Sequence, residues 1–295
     1  LVIFSKKGHK LQKTRCLQTA KQLYNRGPDD FKSGFFRNES LFISNTVLSI
    51  TGKNENKNLV HSKSKNFEIT FNGQIYNYVD LKNRFLGGNT LNNNESDTKV
   101  LVNLYEKINQ EKIPYFLNGM FAYVIYDKQK DSLFIVNDSQ GEKNLYYFEN
   151  KEFFIVSSTI NCILSFLENI SLDLVTLSNY FKTRHYMPIQ NQTCFKNIKL
   201  FNNSSNNTYN LKNQKLISKV YDDPFNWISE NEYKRLEKLN ELDVINYFNY
   251  ALSEQIKLMI PKKKFGCIVS GGIDSTLQAI LINQHSNSSI NLVID

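Results

Sequence analysis

A chain of 295 residues holds about two domains at roughly 150 residues each, and its 41% hydrophobic and 22% charged content supplies apolar surface for packed cores. That excludes a minimal peptide module and general disorder. Basic residues exceed acidic ones, 36 against 28, for a net charge of +8, yet the lysines are scattered, and 39 asparagines with sparse Ala, Gly and Pro fit an AT-rich coding bias better than a nucleic-acid-binding stripe.

In chain order, the apolar start at residues 1–4 is too short for a signal-peptide core, and no run approaches the roughly 18 apolar residues of a membrane span. From there to about residue 203, VIFS, LFIS, FEITF, FAYVIYD, SLFIVND and EFFIVSS predict short strands. A 3.6-residue spacing predicts helices over 11–24, with Leu17, Ala20 and Tyr24 on one face, and over 97–108, with Val100, Leu101, Leu104 and Ile108. Strands with a few helices suggest an α+β layered domain. The polar Asn/Ser cluster at 202–213 reads as a loop. Residues 241–259 then form an amphipathic helix, with Ile245, Phe248, Leu252, Ile256 and Met259 in a stripe and Pro261 as its stop. Lys262, Lys263 and Lys264 are the one dense basic run. FGCIV, SGGIDS and TLQAILIN follow as buried strand, glycine turn and helix, the opening of an α/β unit. This places a first domain at 1–205, a linker at 206–235 and the start of a second domain at 236–295. Cys16, Cys162, Cys194 and Cys267 form no metal-binding spacing, and a reducing cytoplasm is the expected compartment.

Ser270, Gly271, Gly272, Ile273, Asp274 and Ser275 join the strand at 265–269 to a helix beginning near Ser275. A helix N-terminus offers unpaired N–H groups and a positive dipole end, and two glycines let backbone approach a phosphate closely, so an anion site is the physical inference. Glycine pairs are common in ordinary strand-to-helix turns, but the whole SGGxDS string arises by chance in about one chain in ten thousand of this length. It resembles the PP-loop of the ATP pyrophosphatase superfamily. The resemblance implies that Val269, Ser270, Gly271, Gly272, Asp274 and Ser275 hold ATP, with Asp274 as a magnesium contact that keeps carboxylate and phosphate compatible.

The first domain carries RGPD at Arg26–Asp29, LSI at Leu48, Ser49 and Ile50, FNGQIYNY at 71–78, SDTKV at 96–100, LNGMFAYVIYD at 117–127, DSQGEKNLYY at 138–147 and TCFKNIKL at 193–200. In this order they resemble the class II glutamine amidotransferase domain of the asparagine synthetase family. The resemblance implies an N-terminal-nucleophile αββα sandwich followed by the beginning of an α/β PP-loop domain, adenine nucleotide α-hydrolase-like. It implies a chain-terminal Cys attacking the glutamine amide with its own α-amine as base. Asn72 and Gly73 would form the oxyanion hole, Asp97 would take the glutamine α-ammonium, and Leu48, Ser49, Ile50 and Gln74 would complete the glutamine site. Ammonia would pass to an acyl-adenylate of the acceptor acid, giving asparagine from aspartate. Taken singly, an Asn-Gly pair also fits a turn, Asp97 a helix cap and RGPD a Gly-Pro turn; taken together and in order, those readings lose.

Several positions depart from the pattern. The sequence begins at Leu1 with neither Met nor the Cys nucleophile, and Cys16, inside a predicted helix, reads as core packing. Val47 stands where the family has an Arg that holds the glutamine carboxylate; Gln74 replaces Glu, Asn137 replaces Arg, and Thr159 stands where Glu is usual. Weak or absent glutamine hydrolysis is therefore expected even with Met-Cys-Gly joined in front. INLVID at 290–295 reads as the second strand of a parallel sheet whose remainder lies beyond, so the chain as given is not expected to synthesise anything by itself. The expected partners are glutamine or ammonia, ATP with magnesium, and aspartate or a related acid, with no nucleic acid, no membrane, and a homodimer as one option. The competing readings are a glutaminase-inactive relative that uses free ammonia or closes an internal amide as β-lactam synthetases do, a non-catalytic paralogue, and a tRNA-modifying PP-loop enzyme.

Overall fold

The computed structural model describes residues 1–48, 59–87, 95–184, 191–261, 265–286 and 291–294, and the chain divides into two units, Leu1–Asp223 and Pro224–Asp295. Ser49, Ile50 and Lys262–264 lie outside the described residues.

In the first unit, β1 (Val2–Ser5), β2 (Asp30–Phe36), β3 (Leu41–Val47), β8 (Tyr146–Glu149), β9 (Phe153–Ser157) and β10 (Ile198–Leu200) form an antiparallel sheet in the order β10-β8-β9-β1-β3-β2. β4 (Val60–His61), β5 (Phe67–Ile75), β6 (Gly119–Asp127), β7 (Ser132–Asn137), β11 (Ser205–Asn210) and β12 (Lys215–Val220) form a second, in the order β12-β11-β7-β6-β5-β4. The two-residue period of a strand sends alternate side chains to opposite faces. Val2, Phe4, Leu41, Ile43, Val124 and Ile135 fill the space between the sheets. Ile3, Phe42 and Ile155 point outward onto Cys16 and Ala20 of α1 (Lys13–Ala20) and Cys162 and Ile163 of α4 (Ile160–Phe166). On the other side, Ile69, Tyr123 and Ile125 meet Leu81 of α2 (Tyr78–Leu86) and Val100, Leu101 and Leu104 of α3 (Asp97–Lys107). The layers are therefore helix, sheet, sheet, helix. Covered on both faces, β1 and β7 are buried at every position, and so they read as continuous apolar runs.

Three expectations are corrected. The first helix ends at Ala20 and tightens into a 3-10 turn, Lys21–Arg26; the tighter winding brings Leu23 rather than Tyr24 to the core, and the buried stripe is Cys16, Thr19, Ala20 and Leu23, with Leu17 and Tyr24 at the surface. Within 202–213, residues 205–210 are strand rather than loop, and 206–220 are not linker: β11 pairs β7 and turns into β12. Its backbone is paired on both sides, which holds this asparagine-rich segment as a strand. Asn207 Nδ2 donates to the Ile135 carbonyl at 3.0 Å, and Tyr209 stacks on Phe154 of the opposite sheet at 3.8 Å. The division between units falls after Asp223.

The last helix of the first unit is α5 (Leu174–Thr183), and the second unit contains α6 (Glu230–Leu236), α7 (Glu241–Met259), β13 (Gly266–Val269), α8 (Ile273–His285) and β14 (Asn291–Ile294), with β13 and β14 parallel. Of the α7 stripe, Ile256 is buried and Leu252 half-buried, whereas Ile245, Phe248 and Met259 are exposed. Among the described residues no helix is long and apolar enough to cross a membrane.

Candidate active site

At one end of the sandwich the sheets part around a cavity of about 290 Å³. Leu48, Asn72, Gly73, Gln74 and Asp97, drawn from the end of β3, from β5 and from the start of α3, all line it. Ser49 and Ile50 lie outside the described residues.

Asn72 and Gly73 are not a turn; they lie within β5, facing β6. Gly73 has φ +141°, and a Cβ there would overlap the Met120 carbonyl and stand 2.7 Å from Phe121 Cα, so only glycine fits this close approach of strands. Asn72 borders both this cavity and a smaller one of about 40 Å³ that Leu1, Thr70 and Ser157 also line. Its Nδ2 is buried with no hydrogen-bond partner among the described residues. Leaving such a donor unsatisfied costs about 1–3 kcal/mol, which a ligand oxygen would recover.

Asp97 is 4% exposed. It is not the helix cap: Ser96 is, accepting from Lys99 N at 3.3 Å. The Asp97 carboxylate instead accepts from Ile75 N at 3.0 Å and Thr98 N at 2.7 Å, tying α3 to the end of β5. Burial pushes its pKa up, against the pull of those donors.

RGPD braces the far wall. A Cβ on Gly27 would meet Val47 N at 2.7 Å, Pro28 bridges to Val47, and Asp29 N donates to the Val47 carbonyl at 3.1 Å. Val47 lines the cavity, half-exposed, and brings no charge. Asn137 is buried away from this wall, where its Nδ2 donates to the Lys143 carbonyl, and Thr159 stands at the N-cap position of α4 without a side-chain cap. Three cations that sequence reasoning did not single out for this site also line it: Arg26, Lys32 and Lys143. Lys143 arrives because the Asp138 carboxylate gathers the amides of Gln140, Glu142 and Lys143 at 2.9–3.1 Å. Lys32 projects from β2, a strand whose sequence DFKSGFF carries no alternating signal.

In the second unit, α8 starts at Ile273, two residues before the expected start, with Gly272 as its N-cap and no side-chain cap on its first N–H groups. Gly271 has φ +78° with open space where a Cβ would stand. Ser270 and Ser275 hydroxyls lie 3.2 Å apart, Ser275 donates to the Gly272 carbonyl, and Asp274 is exposed in the first turn after Val269 closes β13. The uncapped amides at the start of α8 are a donor set that fits a phosphate, with the two hydroxyls beside them. Among the described residues no cluster of three or more His, Cys, Asp or Glu could hold a metal ion.

Residues 2–222 match the family model described as a glutamine amidotransferase domain. The chain belongs to that family. The amidotransferase match ends one residue short of Asp223, the last residue of the first unit. Among curated proteins, the chain is 29% identical to glutamine-hydrolysing asparagine synthetase 1 of Bacillus subtilis over 55% of its length and 25% of that protein. It is 31% identical to glutamine-hydrolysing asparagine synthetase B of Escherichia coli over 48% of its length and 26% of that protein. Against the maize enzyme of the same name it is 24% identical over 94% of its length and 40% of that protein. The chain thus spans less than half the length of these relatives. Among solved structures, the glutamine phosphoribosylpyrophosphate amidotransferase of B. subtilis, complexed with ADP and GMP, aligns over 99% of this chain and 64% of that one, with TM-score 0.53 and 11% identity. That likeness carries the fold alone, the αββα sandwich of N-terminal-nucleophile amidotransferases.

Proposed function

We propose that the amidotransferase sandwich binds glutamine in the cavity between its sheets and serves as the nitrogen-donor half of an asparagine-synthetase-like, ATP-dependent amide-forming ligase. The observation that carries this is the convergence of Asn72, Gly73, Gln74 and Asp97 on one cavity, with Asn72 Nδ2 left without a partner among the described residues. A glutamine side-chain carbonyl would accept from Asn72, whose N–H strengthens as the oxygen gains charge in a tetrahedral intermediate; the Gly73 amide is the second donor of that reading. Asp97 would pair with the α-ammonium. Leu1 borders the small cavity that Asn72 shares, so a cysteine joined ahead of Leu1 would enter beside the amide donor.

In the second unit, Ser270, Gly271, Gly272 and Ser275 would hold the pyrophosphate of ATP, and Asp274 a magnesium ion shared with it. ATP supplies the activation of the acceptor carboxylate, most simply that of aspartate, which then takes ammonia. Val47 favours a second reading, in which the synthetase half draws on free ammonia and the sandwich binds glutamine without turning it over rapidly.

Calorimetric titration with L-glutamine tests the proposal. Saturable binding that Asn72→Ala weakens about tenfold, the worth of one buried hydrogen bond, is the expected result; no binding by the unaltered chain overturns it.

A further inference from the structure

Lys32 is 1% exposed, and its Nζ has no hydrogen-bond partner among the described residues. Its one ion-pair neighbour there, Asp30 Oδ2, stands at 3.6 Å, beyond hydrogen-bond reach, and the other oxygen of that carboxylate accepts from Phe31 N at 2.8 Å. An ammonium has three donors to satisfy, and withdrawing it from water without satisfying them opposes folding. The chain nevertheless places it inside. In the β2–β3 register Lys32 pairs with Asn45, while its neighbours Phe31 and Phe35 pack outward against the α1–α4 layer. Lys32 therefore faces the gap between sheets and lines the 290 Å³ cavity. Of the buried side-chain atoms without partners, only two belong to residues lining this cavity among the described residues: Lys32 Nζ and Asn72 Nδ2.

We infer that Lys32 is the carboxylate-binding residue of this site, pairing with the α-carboxylate of the amino-acid ligand. The walls carry a buried cation at Lys32, a buried carboxylate at Asp97 and an unpaired amide donor at Asn72, a set that matches a zwitterion with a side-chain carbonyl. The other two lining cations suit the role less well. Arg26 is exposed and already donates to the Ser158 carbonyl at 3.1 Å, and Lys143 is half-exposed, where water screens its charge. The inference rests on the reading of the cavity as a glutamine site.

The test is titration of the full chain with L-glutamine and with 4-aminobutanamide, which keeps the amide and the ammonium but lacks the carboxylate. The unaltered chain should bind glutamine at least about 30-fold more tightly than the analogue, as expected for a buried charge-assisted contact. Lys32→Met should bring glutamine down to the analogue's affinity and leave the analogue unchanged; Lys32→Arg should restore part of the difference. Removing an unpaired buried charge should keep or raise the thermal midpoint of Lys32→Met. If the unaltered chain binds no glutamine, the reading of the cavity falls. If it binds glutamine and Lys32→Met binds it equally well, the assignment of Lys32 falls alone. If Lys32→Met loses both ligands together, or melts earlier, Lys32 is structural and the assignment is overturned.

Discussion

Three polar residues that line the cavity are each costly to the fold. Among the described residues Asn72 and Lys32 have buried donors without partners, and Asp97 holds a carboxylate out of water with backbone and threonine donors to steady it. Packing alone would favour apolar residues at all three positions, so their presence points to a ligand that satisfies them together. Asp97 makes this testable by pH. Burial raises its pKa above the ordinary 3.8, so the carboxylate proposed to pair with an α-ammonium protonates at higher pH than a solvated aspartate would. Glutamine affinity should be full above the raised pKa and fall as pH drops through it, and Asp97→Asn should lower the affinity and flatten that dependence; titrations at a series of pH values check both. On the fold the sign is reversed. The folded state binds this proton more tightly than the unfolded one, so stability declines as pH rises from 3.8 through the raised pKa.

Among the elements, those built from apolar runs were legible in the sequence, because strands covered on both faces or helices with one apolar face leave a pattern of fixed period. β6, β7 and α7 fall where that pattern predicts them. β2 and β11 did not announce themselves, since DFKSGFF and SNNTYN owe their strand conformation to pairing with β3 and β7 rather than to any pattern of their own. The consequence for the site is direct: with β2 unseen, Lys32 had no face and could not be placed, whereas Asn72, Gly73, Gln74 and Asp97 were legible from motif order. The β11 correction also has an energetic consequence. Tyr209 is fully buried, stacks on Phe154 and donates to Glu149 at 3.1 Å, so it joins the two sheets. Tyr209→Ala should cost about 3–5 kcal/mol in denaturant-unfolding measurements, as for other buried aromatic truncations. A linker residue would cost less than about 0.5 kcal/mol.

For the whole molecule, the amidotransferase family match and the first structural unit coincide almost residue for residue, while the second unit contributes a parallel strand pair joined by a glycine-bearing loop to a helix N-terminus. The account stands or falls on the first unit's cavity being a glutamine site, and the most direct measurement is side-chain NMR of the intact chain during titration with L-glutamine. The Asn72 amide and the Lys32 ammonium should shift together along one saturation curve, while the Asn210 amide, on β11 and absent from the cavity wall, stays in place. If Asn72 and Lys32 remain unmoved at saturating glutamine, the central claim is contradicted.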